Sequence, residues 1–352
     1  MQALTVQPGV ADSLAVTEVE EPAPGAGELL VEGLALGVCG TDREIAGGGY
    51  GWAPPHRDRL IIGHESLGRV VQTVPGSDIA EGDLVVGVVR RPDPVPCGAC
   101  AIGEFDMCRN GRYTERGIKQ IDGYGSQRWT VEPGYAVTLD PALAEVGVLM
   151  EPTTVVAKAW EQVTRIGERS WFDPQRVLVT GAGPIGLLAA LLATQRGLEV
   201  HVLDRVTDGP KPDLVRSLGA TYHTEAVATV TERLAPDVVI EATGASSVVL
   251  DAMTDTASYG IVCLTGVSPK GRTVQVDAGG LNREIVLEND AVVGSVNANL
   301  RHYRQAAAAL AQADPGWLAG LITRTVPLTR ATEAFDGDGD DIKVVIDLQV
   351  AA

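Results

Sequence analysis

The chain has 352 residues, of which 45% are hydrophobic and 21% charged, a composition typical of ordinary soluble globular proteins with room for two domains. Its net charge of −18 argues against nucleic acids and anionic membranes as partners, because like charges repel. A neutral or a cationic small-molecule substrate fits this charge equally well, so the charge does not determine the chemistry.

Neither an export signal nor a membrane span is predicted. The first residues, Met1-Gln-Ala-Leu-Thr-Val, lack a basic segment followed by a long apolar core. The longest apolar run, 185–193, is far short of the roughly 20 residues that a span needs. Three of the five cysteines lie between Cys97 and Cys108, which favours a metal over a disulfide framework. We therefore expect a cytoplasmic protein.

Short strands broken by turn residues are predicted for the first part of the chain. Residues 1–150 are rich in Gly and Pro and contain short β-branched runs, such as 29–34 and 83–89. This pattern indicates a β-rich domain. Near residue 151 the pattern changes, and strands begin to alternate with helices.

The second part of the chain predicts a parallel, doubly wound sheet. Strand-like runs lie at 176–180, 198–203, 236–242 and 260–265. Between them, helices are predicted at 185–195, 213–218 and 248–256. Such alternation is typical of a Rossmann domain. The predicted fold class is therefore α/β, with a β-rich domain and a Rossmann doubly wound parallel sheet.

A glycine-rich turn joins the first strand of this sheet to its first helix. It reads Gly181-Ala-Gly183-Pro184-Ile185-Gly186, the form of a dinucleotide-binding turn. The first glycine permits the sharp bend, the second lets the backbone approach a pyrophosphate, and the third allows close helix packing. The helix N-terminus adds N–H donors and a partial positive charge. The turn therefore predicts a dinucleotide cofactor.

The cofactor preference depends on two neighbours, Asp204 and Arg205, at the end of the next strand. A carboxylate at this place accepts hydrogen bonds from both ribose hydroxyls and repels a 2′-phosphate, which favours NAD over NADP. The Arg205 guanidinium can instead stack on adenine or meet a 2′-phosphate. We expect NAD, with NADP as the alternative.

Three short motifs before the turn carry metal-ligating side chains. Cys39 stands in Cys-Gly-Thr41, and His64 and Glu65 are neighbours in Gly-His-Glu. Glu151 precedes a proline. A thiolate, an imidazole and a carboxylate suit a catalytic zinc that keeps one position open for a substrate oxygen. With the cofactor turn, they predict zinc-assisted hydride transfer between an alcohol and a nicotinamide.

Together these motifs resemble the zinc-dependent medium-chain dehydrogenases over essentially the whole chain. The segments that carry this resemblance are Cys39-Gly-Thr-Asp, Gly63-His-Glu, the cysteine cluster, Glu151-Pro and Gly181-Ala-Gly-Pro-Ile-Gly. Within that family, the chain resembles the archaeal-type glucose dehydrogenases in shorter segments: Cys39-Gly-Thr-Asp-Arg-Glu, Arg90-Arg91-Pro92, Tyr113-Thr-Glu-Arg-Gly-Ile118, Asp122-Gly-Tyr, Asn282-Arg-Glu and Gly294-Ser-Val-Asn297.

The resemblance implies a division of the chain into two domains. A GroES-like catalytic domain would comprise residues 1–150, completed by 300–352. A Rossmann domain would comprise residues 151–299. The resemblance also implies a homo-oligomer, either a dimer or a tetramer.

Roles for the metal-site residues follow from the same resemblance. Cys39, His64 and either Glu65 or Glu151 would bind the catalytic zinc. Thr41 would contact the substrate and relay its hydroxyl proton outward, since a hydroxyl both donates and accepts. Glu65 also counts among the catalytic residues.

Substrate and cofactor contacts are implied at four positions. Glu115, Glu151 and Asn297 would bind hydroxyls of the substrate. Thr243 would lie near the nicotinamide half of the cofactor, and Asn297 is also a cofactor-binding candidate.

Cys97, Cys100 and Cys108 resemble the last three ligands of the family's structural zinc lobe. The usual first cysteine would fall at Pro94, which cannot ligate through its side chain. A water or a nearby carboxylate would complete the site, and the candidates are Asp93, Asp106 and Glu115. Three thiolates bind zinc well, so we expect a structural ion. The alternative is a loop without metal.

The resemblance implies oxidation of an aldose, glucose at C1 first, to the lactone, with hydride transfer to NAD(P). One alternative is a zinc dehydrogenase of another polyol, an aminocyclitol or a secondary alcohol. Another is a non-catalytic nicotinamide-binding protein of the same fold. The intact set of Cys39, His64, Glu65 and Glu151 argues against that last alternative.

Overall fold

The computed structural model describes residues 1–269, 271, 273–337 and 340–349. The chain folds into two compact units. The first comprises Met1–Glu151 and Ala298–Ala352, and the second comprises Pro152–Asn297.

The strands of the described residues are, in chain order, β1 (Gln2–Val6), β2 (Ala15–Glu18), β3 (Leu29–Val38), β4 (Leu60–Ile61), β5 (Glu65–Gln72), β6 (Leu84–Gly87), β7 (Arg90–Arg91), β8 (Thr114–Arg116), β9 (Gln120–Ile121), β10 (Arg128–Val131), β11 (Ala136–Thr138), β12 (Arg176–Thr180), β13 (Glu199–Leu203), β14 (Thr221–His223), β15 (Val238–Glu241), β16 (Ile261–Leu264), β17 (Ala291–Gly294), β18 (Ile322–Pro327) and β19 (Lys343–Asp347).

The α-helices are α1 (Gly40–Ala46), α2 (Gly98–Ala101), α3 (Met150–Gly167), α4 (Pro184–Gln195), α5 (Pro210–Ser217), α6 (Val227–Leu234), α7 (Ser246–Asp251), α8 (Ala278–Glu288), α9 (Leu300–Gln312) and α10 (Pro315–Leu321). Short 3₁₀ helices lie at Phe105–Met107, Pro133–Tyr135, Pro141–Leu143, Gly147–Leu149 and Leu328–Phe335. Within the described ranges, none of the helices has both the length and the apolar character needed to cross a bilayer.

The first unit is built on a mixed sheet with the strand order β11-β6-β5-β3-β19-β18. One side of β3 pairs with β5, while the other side pairs with β10 at Leu29–Glu32 and with β19 at Ala35–Val38. The smaller sheets have the orders β2-β1-β4 and β7-β8-β9. Because β19 comes from the end of the chain, the C-terminal segment is part of the same sheet as β3 and β5.

The core of this unit lies under β3. Leu36, Trp129 and Ile346 are buried there although they come from three distant parts of the sequence. The Trp129 ring packs edge-on against Tyr124, with ring centroids 4.6 Å apart. Burial of such large apolar side chains contributes about 1.5–3 kcal/mol each, which fixes the sheet that carries the site residues.

The second unit contains a parallel sheet with the order β14-β13-β12-β15-β16-β17. The chain adds β13 and β14 on one side of β12, then adds β15, β16 and β17 on the other. The point of reversal lies between β12 and β15, where Thr180 and Glu241 are neighbours in register. In doubly wound sheets, ligands bind in the crevice at the carboxyl ends of these two strands. This arrangement confirms the predicted α/β class.

One predicted helix of this unit is wrong at both ends. The sequence predicts 248–256, but α7 spans Ser246–Asp251. The Ala252 N–H donates back to Val248 O as the helix ends, and the Thr254 hydroxyl donates to Asp251 O. Asp255 then takes a left-handed backbone with φ of 57°, which an α-helix cannot accommodate.

Candidate metal centre and cofactor-binding turn

Cys39 is held at the N-terminus of α1. It is the N-cap residue, and its Sγ accepts a hydrogen bond from Thr41 N at 3.2 Å. The Asp42 carboxylate reaches back to accept from Cys39 N at 3.0 Å, which completes a capping box. Local sequence therefore orients the thiol, because Cys39-Gly-Thr-Asp42 places a side-chain acceptor at each end of the first turn.

His64 lies just before β5, and its ring contacts one carboxylate, that of Asp42, and one thiol, that of Cys39. Its Nδ1 is 3.2 Å from Asp42 Oδ1, and its Nε2 is 3.1 Å from Cys39 Sγ. Burial alone would lower the pKa of His64, but the neighbouring Asp42 and Cys39 raise it well above its usual value. A carboxylate behind the imidazole fixes the ring so that Nε2 faces the ligand position.

Three ligating groups converge at this point. The ligand atoms of Cys39, His64 and Glu65 all lie within 4.8 Å of one another. One sulfur, one imidazole nitrogen and one carboxylate at this spacing fit tetrahedral zinc, with the fourth position left for water or substrate. The short separation of Cys39 Sγ and His64 Nε2 suits two ligands of one ion. These contacts support zinc binding by the three residues.

Glu65 is also paired with a buried lysine. Lys343 Nζ, at the start of β19, lies 2.7 Å from Oε1 and 2.6 Å from Oε2 of Glu65, and both side chains are 2% exposed. Lys343 Nζ also donates to Val38 O at 3.3 Å. Burial alone would lower the pKa of Lys343, but Glu65 raises it above its usual value. The Glu65 carboxylate is thus held in place by the positive charge of Lys343.

Glu151, in the first turn of α3, is close enough to this cluster to interact with its charges. Burial raises the pKa of Glu151 to about 7, with a further rise from Glu65, while His64 and Lys343 act in the opposite direction. A carboxyl group with this pKa can accept or release a proton near neutral pH. Glu151 is outside the closest group of three ligand atoms, so the geometry distinguishes it from Glu65.

Sequence reasoning did not assign roles to two residues of the centre, Asp42 and Lys343. Both are buried and both contact predicted ligands. Asp42 had a local signal, since it stands three residues after Cys39 at a capping position. For Lys343 the sequence signal is weak. It is one of five lysines and begins a run of apolar residues, where an unpaired charge would be costly, so a buried partner is expected.

The cysteine cluster forms a second group of ligands. The sulfurs of Cys97, Cys100 and Cys108 lie within 4.8 Å of one another, and Cys97 Sγ is 3.7 Å from Cys100 Sγ. Tetrahedral zinc with bonds of about 2.3 Å would separate two sulfurs by about 3.8 Å. The Arg109 N–H donates to Cys97 Sγ, and this bond with others lowers the pKa of the Cys97 thiol to about 6. The three sulfurs therefore fit a zinc ion.

The candidates for a fourth ligand in this lobe differ in their existing contacts. Asp93 is buried, with Oδ1 accepting from Val95 N at 2.8 Å and Oδ2 lying 3.4 Å from Arg112 Nε. Asp106 Oδ1 accepts from Asn299 Nδ2 at 2.8 Å. Among the described residues, the group of sulfurs contains no carboxylate within the same spacing. A water or a shifted Asp93 side chain would complete it.

Glu115, the candidate for sugar binding, forms an ion pair inside the first unit. Its Oε1 accepts from Arg90 Nε at 3.0 Å and from Arg90 Nη2 at 2.8 Å, and both residues are buried. Arg90 Nη1 donates to Asp106 O at 2.9 Å. Glu115 is thus unlike a solvated loop carboxylate, because its guanidinium partner holds it in one orientation.

In the second unit, the glycine-rich turn has the backbone that its sequence predicts. Gly181 has φ of 95°, a conformation that disfavours other residues. A Cβ at Gly186 would collide with Gly181 O, so the helix approaches the turn closely only because glycine is present. Gly183 is the N-cap of α4, and Pro184 and Ile185 form its first turn. The N–H groups of that turn suit a pyrophosphate.

Asp204 and Arg205 follow β13. Asp204 Oδ2 accepts from Ala182 N at 2.7 Å, which ties the strand end to the glycine-rich turn, and Oδ1 accepts from Val206 N at 3.1 Å. Each carboxylate oxygen has two lone pairs, so capacity for ribose hydroxyls remains. Arg205 is exposed.

Glu241 is a residue of this region that sequence reasoning passed over. It is fully buried at the end of β15 and accepts from Thr243 N at 2.7 Å, from Gly244 N at 3.0 Å and from the Thr243 hydroxyl. Thr243 is thereby held beside the turn, since a Cβ at Gly181 would lie 2.9 Å from its methyl group. Asn297, after β17, is half-buried with a left-handed backbone, φ 64°.

Two protein families match this chain. The alcohol dehydrogenase GroES-like domain matches residues 25–141. The glucose dehydrogenase C-terminus matches residues 144–348. The two matches together span most of the chain.

Individual proteins resemble the chain over its whole length. Glucose 1-dehydrogenase of Methanocella arvoryzae is 41% identical, with 99% of both chains covered. Glucose 1-dehydrogenase of Thermoproteus tenax is 42% identical, covering 99% of this chain and 100% of its own. The structure of Haloferax mediterranei glucose dehydrogenase in complex with NADP, Zn and gluconolactone superposes with a TM-score of 0.91, at 34% identity and full coverage of both chains.

The His64 site yields a first prediction. His64→Ala should remove one zinc per chain and abolish substrate-dependent reduction of NAD(P), while cofactor affinity stays within about twofold because the glycine-rich turn belongs to the other unit. Elemental analysis, a turnover assay and a fluorescence titration with NAD(P)H measure these three effects. The matched control is His56→Asn, since His56 is exposed and has a left-handed backbone that Asn tolerates. Substantial activity in His64→Ala would contradict the metal assignment.

The cysteine cluster yields a second prediction. Cys108→Ser should lower the zinc content by one and the thermal midpoint by roughly 5 °C, because structural zinc contributes folding energy. The turnover number per folded, cofactor-binding molecule should change little. Differential scanning calorimetry and elemental analysis test this. A wild-type protein that holds at most one zinc per chain after zinc-replete, chelator-free purification would show that the lobe carries no metal.

Proposed function

The chain belongs to the glucose dehydrogenase family of zinc-dependent medium-chain dehydrogenases, and we propose that it oxidises glucose at C1 to the lactone with hydride transfer to NAD(P). The observation that carries the proposal is the grouping of Cys39, His64 and Glu65 in a chain that matches glucose dehydrogenases over its full length. An assay of nicotinamide reduction against a panel of aldoses, polyols and simple alcohols tests it.

We assign the catalytic zinc to Cys39, His64 and Glu65. When bound, this ion lowers the pKa of a coordinated hydroxyl and so favours loss of its proton near neutral pH. Asp42 holds the His64 ring, and Lys343 holds the Glu65 carboxylate, so neither ligand has to reorient for each turnover. With three protein ligands, a fourth position on the bound ion would be open to the substrate oxygen.

Proton transfer is assigned to Thr41 and Glu151. The Thr41 hydroxyl can accept a proton from the substrate and donate its own, and its backbone N–H is fixed on Cys39 Sγ. Glu151, whose pKa is about 7, can take up a proton at physiological pH and can also contact a substrate hydroxyl. This division leaves Glu65 to the metal and Glu151 to the substrate.

Substrate hydroxyls are assigned to Glu115 and Asn297. Arg90 occupies Oε1 of Glu115 with two donors, and the carboxylate retains further lone pairs for a sugar. Asn297 offers an amide that both donates and accepts. Polar groups of this kind discriminate strongly, because an analogue without the matching hydroxyl leaves them unpaired.

The dinucleotide is assigned to the turn at 181–186, with Asp204 on the adenosine ribose and Thr243 on the nicotinamide half. Asp204 lies beyond β13 and Thr243 beyond β15, on opposite sides of the crevice where the strand order reverses. The Asp204 carboxylate favours NAD, and Arg205 is the residue that would accommodate a 2′-phosphate.

We also propose a cytoplasmic homo-oligomer. Cys97, Cys100 and Cys108 are free thiols close together, which fits a reducing compartment. β17 is at the edge of its sheet, and Val292 on it is exposed, as are Val286 and Leu287 on α8. A second copy can pair with this edge through the same residues in a two-fold arrangement. Analytical ultracentrifugation of wild type and Val292→Lys tests this assembly.

Asp204 yields a third prediction. The wild type should have a higher kcat/KM with NAD than with NADP, and Asp204→Ala should move the ratio toward NADP by about tenfold or more, because the variant lacks the charge that repels a 2′-phosphate. Steady-state kinetics with both cofactors measure the ratio. Asp208→Ala, a nearby exposed carboxylate, is the control. A wild type that prefers NADP would show that Arg205 determines the cofactor.

Glu115 yields a fourth prediction. Glu115→Gln should lower kcat/KM for glucose by about tenfold or more and leave a simple secondary alcohol nearly unaffected, because only the sugar uses the lost acceptor. Thermal unfolding of the variant controls for the loss of the Arg90 ion pair. If the wild type turns over simple alcohols better than aldoses, the chain is a general alcohol dehydrogenase rather than a sugar dehydrogenase.

A further inference from the structure

Two large aromatic side chains stand exposed shortly after α1. Tyr50 is 38% and Trp52 45% exposed, and their rings meet edge to face with centroids 5.0 Å apart. The segment that carries them is fixed rather than loose: Trp52 N donates to Ile118 O at 2.9 Å, and Gln120 N donates to Trp52 O at 2.9 Å. A fixed pair of exposed aromatic rings is an apolar surface that water covers poorly.

This aromatic pair is tied to the metal centre at both ends, all within the first unit. Gly51 separates the two aromatic residues in the sequence. A Cβ at Gly51 would lie 3.2 Å from the Ile45 side chain of α1, the helix that Cys39 caps. On the other side, Ile118 follows Gly117, where a Cβ would lie 2.5 Å from Gly63 O. Gly63 directly precedes His64. The positions of Tyr50 and Trp52 are therefore linked to the Cys39 helix through the Ile45 side chain and to His64 through the Gly63 backbone.

Charged groups line the same region. Glu115 N donates to Lys119 O at 2.9 Å, next to the Ile118 and Gln120 backbone groups that bond Trp52, so this carboxylate adjoins the aromatic pair. Burial raises the pKa of Tyr50 above its usual value, and the charge of Glu115 adds to the rise. Arg90, which pairs with Glu115, stacks over the Tyr113 ring at 3.7 Å from the centroid. The exposed rings thus adjoin a carboxylate that is oriented by its own ion pair.

We propose that Tyr50 and Trp52 form a stacking wall that recognises the C–H face of a pyranose ring while Glu115 binds its hydroxyls. Glucopyranose presents axial C–H groups on its ring faces, and these carry slight positive charge that suits the negative face of an aromatic ring. An open-chain polyol or a small alcohol has no such face. The wall therefore selects the cyclic aldose, and this inference rests on the proposed function.

The experiment compares Trp52→Ala and Trp52→Phe with a control, Trp171→Ala, at a tryptophan that is 83% exposed in the second unit. Loss of stacking should raise the KM for glucose about fivefold or more in Trp52→Ala, a change that corresponds to about 1 kcal/mol of binding free energy. The kcat and the KM for the cofactor should stay within about twofold. Phe should restore most of the affinity, and the control should behave as wild type.

Binding supplies a readout independent of turnover. Gluconolactone added to the metal-loaded enzyme without cofactor should change the tryptophan fluorescence, and this change should shrink in Trp52→Phe although the lactone still binds. An unchanged KM for glucose in Trp52→Ala would overturn the stacking wall. So would a KM that changes only together with the sedimentation coefficient, since Trp52 would then belong to a subunit contact. A wild type without aldose activity would instead refute the proposed function.

Discussion

The centre depends on one constraint: charges that are buried together must be paired. Lys343 and Glu65 are each 2% exposed, and their ion pair crosses the sheet from β19 to β5 over the intervening β3. Breaking a buried pair by removal of one partner leaves an uncompensated charge and costs about 3–5 kcal/mol. Gly37 on β3 makes the pair possible, because a Cβ there would collide with a Glu65 oxygen. The position of Glu65, the zinc ligand that we propose, therefore depends on three strands.

The pairing also makes the metal centre depend on the end of the chain. β19 is parallel to β18 and antiparallel to β3, so Lys343 reaches Glu65 only after the C-terminal segment has joined the sheet. His64 depends in the same way on Asp42, which α1 supplies. The two proposed zinc ligands, the His64 imidazole and the Glu65 carboxylate, are thus each held by a group of opposite charge from another element. A site of this kind is preorganised before any ion arrives.

The sequence predicts the parts of this molecule that local pattern determines. Strand β12 at Arg176–Thr180 and the turn at Gly181 follow from apolar runs and glycine spacing, and the structure confirms both. The end of α7 could not be predicted, because it depends on a left-handed Asp255 that no spacing rule specifies. Lys343 and Glu241 were missed for a related reason. Their partners are set by folding of distant segments, and a single buried charge in an apolar run does not reveal what it meets.

Asp204 has structural contacts in addition to the role in ribose recognition that we propose for it. The sequence predicts contacts of its carboxylate with the ribose hydroxyls, and the structure adds a hydrogen bond from Ala182 N within the glycine-rich turn. Substitution of Asp204 therefore alters the turn as well as the charge. An equal change in kcat/KM for NAD and NADP reports the effect on the turn. A change in the ratio of the two kcat/KM values reports the effect of the charge. Glu241 acts similarly on Thr243 and Gly244, with all its described contacts inside the second unit.

Substrate selection has to lie outside the paired charges of the metal centre. Cys39, His64 and Glu65 each have a fixed partner, so none can adapt to the stereochemistry of a sugar without loss of a buried interaction. Tyr50 and Trp52 are not part of a buried ion pair. Both rings are exposed, and the Trp52 backbone is bonded to Ile118 and Gln120, so a change at either ring alters an exposed surface while the backbone bonds of Trp52 remain. We therefore infer that the buried pairs of the metal centre hold the reactive groups, while the choice of substrate is shared by Glu115 and the exposed rings near it.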